Sequence, residues 1–189
     1  MFCNVKVAIS NRHVHLTRET YKKLFDEPLT KKNDLHQIGQ FAANQTVTII
    51  SGDKYFENVR IVGPFRDYNQ VEISKNDARK LNINPPVRTS SDLVGSSSIT
   101  LKTNKDSVKL QEGCIIADRH VHFNTVEAQK YHVKNKDKLK IHILGDKRGT
   151  IEAFAKVSDD GYFELHLDTD DANAFLLEND DKVVLEIDR

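Results

Sequence analysis

Arg-His-Val-His occurs twice in this chain, at residues 12–15 and again at residues 119–122. Each copy follows a short apolar run, Val5 to Ile9 or Cys114 to Ala117, and precedes a segment with helical patterning. On a strand, side chains alternate between faces with period two. His13 and His15, or His120 and His122, then share one face, while Val14 or Val121 turns the other way into a core. On a helix the same rings would point to nearly opposite sides. Each copy can therefore offer two imidazole nitrogens to one metal ion. A lone His-x-His reads more readily as two ordinary polar residues near a strand end. Two matching copies in one small chain point to a histidine-rich metal centre.

The repeat extends beyond these motifs. VAISNRHVHLTRET (residues 7–20) parallels IIADRHVHFNTVEA (115–128), and QVEISKNDARKL (70–81) parallels ELHLDTDDANAF (164–175). Placing Asp77-Ala78 over Asp171-Ala172 sets Glu72 on His166. Each half thus carries a His-x-His and, later, one more potential ligand. The spacing differs, 57 residues from His15 to Glu72 against 44 from His122 to His166. The extra length is assigned to 26–44, a polar, turn-rich excursion.

The candidate ligands are His13, His15, Glu72, His120, His122 and His166. Six side chains exceed one tetrahedral shell and suit two ions. Imidazoles with a carboxylate favour Zn²⁺ over Mg²⁺ or Ca²⁺, with Co²⁺, Ni²⁺ or Mn²⁺ as competitors. His36, His132 and His142 have no repeat partner and are read as non-ligands. Arg12 and Arg119, one before each motif, could neutralise an anionic ligand or pair with carboxylates such as Asp118. Arg66 follows a Gly-Pro turn six residues before Glu72, where its planar fork could grip phosphate. Ser90 lies in a Ser/Gly-rich loop that could donate to the same anion.

Most of the remaining chain reads as strands. Hairpins are expected at 46–62 around SGDK, at SITLKT-NKD-SVKLQ, and at KLKIHIL-GDKRG-TIEAFAKV, with VVLEI closing the chain. Short helices are expected at 18–25, 75–81, 125–131 and 170–177, with Thr17, Ser74, Thr125 and Thr169 as N-caps. Many short strands with regular turn signals indicate barrels or a sandwich.

The 189 residues carry 28 basic and 28 acidic side chains, which gives no overall field for nucleic acid. No apolar run approaches the ~20 residues of a membrane span. The N-terminus lacks a signal layout, and a cytoplasmic location is expected. Cys3 and Cys114 read as small core residues.

Two rival motifs are weaker. His-x-His followed by Glu19 or Glu127 resembles a cupin, but both glutamates fall in expected first helical turns, where the dipole accounts for them. The cupin's closing glycine is also missing. Amidohydrolases use His-x-His in barrels of about 250 residues, longer than this chain.

SNRHVHL, GQFAANQTVTI, ENVRIVGPFRDYNQVEIS, SSDLVGS, IIADRHVHF and LHLDTDDAN come in the order seen in the PduL-type phosphotransacylases. These are phosphate propanoyltransferases of propanediol-using microcompartments and their free acetate-metabolism relatives. The chain resembles this family over roughly residues 5–187. The resemblance implies a mainly β fold of two six-stranded β-barrels, related by internal duplication and capped by short helices. The first barrel would take 12–25 and 45–117. The second would take 118–189, completed by the N-terminal strand at 2–11. It implies two zinc ions at the junction: His13 and His15 on one, whose open position takes the coenzyme A sulfur, and Glu72, His120, His122 and His166 on the other. Arg66 matches the phosphate-binding arginine, with Ser90 assisting.

The implied reaction converts a short-chain acyl-CoA, propanoyl-CoA or acetyl-CoA, and phosphate reversibly into acyl phosphate and coenzyme A. Direct attack of phosphate on the thioester is expected, in a homodimer. Only nine residues precede Ser10, so no microcompartment shell is expected as a partner. Readings from other classes are a metal-dependent thioester or phosphoester hydrolase and a non-catalytic metal-binding barrel.

Overall fold

The computed structural model describes residues 1–159 and 161–187. Its contacts divide the chain into two compact units, one of Met1–Asn11 with Asp118–Arg189 and one of Arg12–Ala117. Strand β1 (Phe2–Ser10) belongs to the first of these.

The Arg12–Ala117 unit contains β2 (His13–His15), α1 (Arg18–Leu24), β3 (Lys31–Asp34), β4 (Phe41–Ser51), β5 (Lys54–Gly63), β6 (Gln70–Glu72), α2 (Lys75–Lys80), β7 (Val87–Arg88), β8 (Ser97–Lys102) and β9 (Ser107–Ala117). Six strands close a ring: β4 pairs β5, β5 pairs β2, β2 pairs β6, β6 pairs β9, β9 pairs β8, and β8 returns to β4. β3 adds to β4 and β7 to β9. Period-two alternation turns Val14, Ile49, Ile61, Val71, Leu101 and Cys114 into one buried core. Removing a methylene-rich side chain such as Ile61 from this core would cost about 2–5 kcal/mol. β5 ends at Gly63, where any Cβ would run into the ring of Phe41. That close approach explains the glycine before the turn that carries Arg66.

The other unit returns to the same plan with β10 (His120–Phe123), α3 (Thr125–Tyr131), β11 (Lys138–Ile143), β12 (Gly149–Val157), β13 (Glu164–Asp168), α4 (Thr169–Phe175) and β14 (Lys182–Glu186). Its closed barrel runs β1-β13-β10-β12-β11-β14. β1 lies parallel to β13 and antiparallel to β14, so the N-terminal segment supplies the sixth strand. Val121, Phe123, Ile141, Leu165 and Leu185 fill the interior.

The protein is thus mainly β, two six-stranded barrels with short helices. The duplication is visible in the pairing itself. β2 lies between parallel β5 and antiparallel β6, as β10 lies between parallel β12 and antiparallel β13. Two N-caps differ from expectation. Asn124 caps α3 in a capping box with Glu127, and Asp168 caps α4 by accepting from the Asp171 N–H at 2.8 Å. Thr125 and Thr169 are instead the first helical residues, because the Asn and Asp before them reach the same orphan donors. Thr17 and Ser74 do cap α1 and α2. Among the described residues no helix is long and apolar enough to cross a membrane.

Candidate metal centre

Strand register brings the repeated histidines to their third partners. In the Arg12–Ala117 unit, His13 stands opposite Glu72 and His15 opposite Gln70. In the other unit, His120 stands opposite His166 and His122 opposite Glu164. Two three-residue groups result, His13-His15-Glu72 and His120-His122-His166, each with ligand atoms within 4.8 Å of one another. The valines between the histidines are buried on the opposite face.

In the first group, His13 Nε2 lies 3.5 Å from Glu72 Oε2, and the two imidazoles meet edge to face with centroids 5.0 Å apart. Burial, then His13 and Arg66, hold the His15 imidazole far below its ordinary range, at about 3, against the opposing pull of Glu72. It is neutral at physiological pH, the form that donates to a metal. The ligand division implied by the family resemblance sets Glu72 with the other histidines. Within its own unit the carboxylate groups with His13 and His15.

In the second group, His120 Nδ1 donates to the Asp118 carbonyl at 2.8 Å, which leaves the Nε2 lone pair for a ligand. That nitrogen faces His122 Nε2 at 3.2 Å. His122 Nδ1 is buried with no hydrogen-bond partner, so the ring makes its polar contacts through Nε2 alone. Two imidazole nitrogens directed at one another, one with its lone pair fixed inward, suit a shared cation. Burial, then His120, His166 and Lys156, depress the His122 pKa strongly. His166 Nε2 also meets the Tyr162 hydroxyl at 2.6 Å, and burial with Glu164 keeps that phenol protonated. Five imidazoles and one carboxylate form a donor set suited to Zn²⁺.

Arg66 follows the Gly63-Pro64 turn, with its backbone N–H bound to the Leu16 carbonyl at 2.9 Å. Its charge is one of the lesser causes that hold His15 down, so it acts electrostatically on the first group. Its Nε is buried and makes no hydrogen bond among the described residues. Ser90 Oγ accepts from Gln70 Nε2 at 2.9 Å. Gln70, Glu164 and Tyr162 were not among the expected site residues. The first two could be found by stepping two residues back along the strand from Glu72 and His166. Tyr162 has no repeat partner and no such signal.

Arg12 and Arg119 are engaged structurally, with forked hydrogen bonds to Asp77 and Asp171. His36 is exposed in a bend, His132 ends α3, and His142 pairs with Glu186 at 2.6 Å. Glu19 and Glu127 lie in first helical turns, which removes the support for a cupin. Cys114 is buried in a core, its thiol pushed up to about 12 by burial, and Cys3 packs against the other core. Neither is set up as a nucleophile.

The phosphate propanoyltransferase family model matches residues 6–178. The phosphate propanoyltransferase of Thermotoga maritima is 43% identical over 183 residues, covering 95% of this chain and 87% of that protein. Its counterpart in Priestia megaterium is 44% identical over 186 residues, covering 97% and 86%. That of Shewanella putrefaciens is 44% identical over 173 residues, covering 90% and 82%. With matches this extensive, the chain belongs to the phosphate propanoyltransferase family and is an acyltransferase.

Proposed function

We propose that the chain moves a short acyl group reversibly between coenzyme A and inorganic phosphate, with two zinc ions held by His13, His15, Glu72, His120, His122 and His166. The observation that carries this reading is the pair of ligand-competent groups, His13-His15-Glu72 and His120-His122-His166, with the Arg66 charge acting on the first and its buried Nε left to donate. In the forward direction a phosphate oxygen attacks the thioester carbon, the C–O bond forms, the C–S bond breaks, and coenzyme A leaves as the thiolate. When bound, zinc supplies Lewis acidity and a soft ligand site for that thiolate.

The chain's own groups do the rest. Arg66 offers a planar fork that orients phosphate and offsets its charge as it meets the acyl group. Ser90 can add a hydroxyl to the same anion. His15 and His122, kept neutral by burial, stay available as ligands rather than as acids. No acyl-enzyme is required, in keeping with two core cysteines.

Propanoyl-CoA is the first substrate to assay, because the relatives carry that name, with acetyl-CoA beside it. A homodimer belongs to this reading on the family resemblance alone, and a cytoplasmic location on the N-terminal sequence pattern. Phosphate-dependent release of coenzyme A with formation of acyl phosphate tests the proposal. Release of free acid without phosphate would identify a hydrolase instead.

A further inference from the structure

Gln70 is wholly buried, and it is not a usual zinc ligand. Its Nε2 donates to Glu72 Oε1 at 2.5 Å and to Ser90 Oγ at 2.9 Å. Its Oε1 accepts from the Ser91 N–H at 2.8 Å. These partners fix the amide orientation, since a carboxylate oxygen only accepts and a backbone N–H only donates. Both Nε2 protons are used. With Oε1 of Glu72 engaged, Oε2 is the oxygen that faces His13 Nε2 at 3.5 Å. Ser91 has a positive φ of 76°, so the Gln70 acceptor holds a turn that has left ordinary backbone space.

The duplication supplies an internal control. The position equivalent to Gln70, opposite His122, is Glu164, whose Oε2 lies 3.4 Å from His166 Nε2. One repeat pairs an amide with a carboxylate, and the other pairs a carboxylate with an imidazole. A carboxylate at Gln70 would set like charges against Glu72 and would lose the donor to Ser90. The amide is therefore specific to the repeat that carries Glu72, Ser90 and Arg66.

We propose that Gln70 is a positioning residue that fixes Glu72 as a one-oxygen metal ligand and ties it to the Ser90–Ser91 turn. The metal site and the phosphate site of the first group are then set by one side chain. This rests on the ligand and phosphate assignments made above. Partners one step behind a metal ligand typically change metal affinity by about 10–100-fold.

The test compares Gln70→Met, Gln70→Glu and Glu72→Gln with the unaltered protein. Zn²⁺ affinity is measured by chelator competition, and steady-state kinetics are measured against phosphate and propanoyl-CoA. Glu72→Gln defines which bound zinc depends on the first group. Gln70→Met should weaken that same zinc by about tenfold or more and leave the other unchanged. It should also raise the phosphate KM by a similar factor, with under about a threefold change for propanoyl-CoA. Gln70→Glu keeps the shape and the acceptor for Ser91, and it decides the matter if Gln70→Met does not fold. A lower melting temperature with unchanged zinc affinity and phosphate KM would make Gln70 merely structural and overturn the proposal. If Glu72→Gln itself left zinc binding unchanged, the ligand assignment would fail first, and the proposal with it.

Discussion

Arg12 grips Asp77 with two hydrogen bonds, Nε to Oδ2 at 2.9 Å and Nη2 to Oδ1 at 2.7 Å. Arg119 repeats the grip on Asp171 at 2.8 and 2.7 Å. Each arginine immediately precedes a His-x-His strand, and each aspartate sits in the first turn of the helix that follows the strand of Glu72 or His166. The pair thus clamps one end of the histidine strand to the element that continues from its partner strand.

Breaking the clamp should cost stability unequally. The Asp77 side chain is 4% exposed and that of Asp171 20%. Arg12→Ala leaves the more deeply buried carboxylate without its fork, at a cost of about 2 kcal/mol. Arg119→Ala should cost less, because water can reach its partner. Urea denaturation of both variants measures this. Negligible shifts in both would make the forks ornamental.

Arg66→Ala should keep zinc content and fold while the phosphate KM rises or turnover falls. The constant for acyl-CoA should change less. Arg66→Lys should restore only part of the loss, since an ammonium cannot reproduce the fork. Steady-state kinetics in both substrates decide it, and unaltered phosphate kinetics would place the nucleophile elsewhere.

The purified protein should hold about two zinc ions, because six ligands exceed one tetrahedral shell. His122→Ala should lose about one of them, and metal loss should lower the melting temperature. Elemental analysis of active enzyme with well under one divalent ion per chain contradicts this.

The metal-free protein should weaken in acid. His15 takes its proton only at about 3, and His122 is depressed as well, whereas both rings titrate near 6.5 in the unfolded chain. Between those limits the unfolded state binds more protons, so stability falls as pH drops from about 6.5 towards 3, by up to about 1.4 kcal/mol per pH unit for each ring. Above about pH 6.5 this contribution is fully present. Urea midpoints of chelator-treated protein at several pH values check the slope, and His15→Gln should reduce it, leaving the His122 contribution.

The histidine pairs are legible in the sequence because strand alternation alone puts His13 with His15 and His120 with His122. Glu72 and His166 follow once the two halves are aligned on Asp77 and Asp171. The partner of Arg12 is less legible, since 65 residues separate it from Asp77 and only the fold brings them together. Gln70 is hidden for another reason. A buried amide is defined by its hydrogen-bond partners, and Ser90 lies 20 residues away in a loop whose Ser/Gly composition does not say which strand residue it meets. The helices are placed well, but two caps move by one residue, because Asn124 and Asp168 compete with the threonines beside them.

The most direct measurement is coenzyme A release from propanoyl-CoA by the zinc-loaded protein, with and without inorganic phosphate, followed by identification of the acyl product. The account predicts release that depends on phosphate and yields propanoyl phosphate. Equal release without phosphate, with free propanoate as the product, would contradict it.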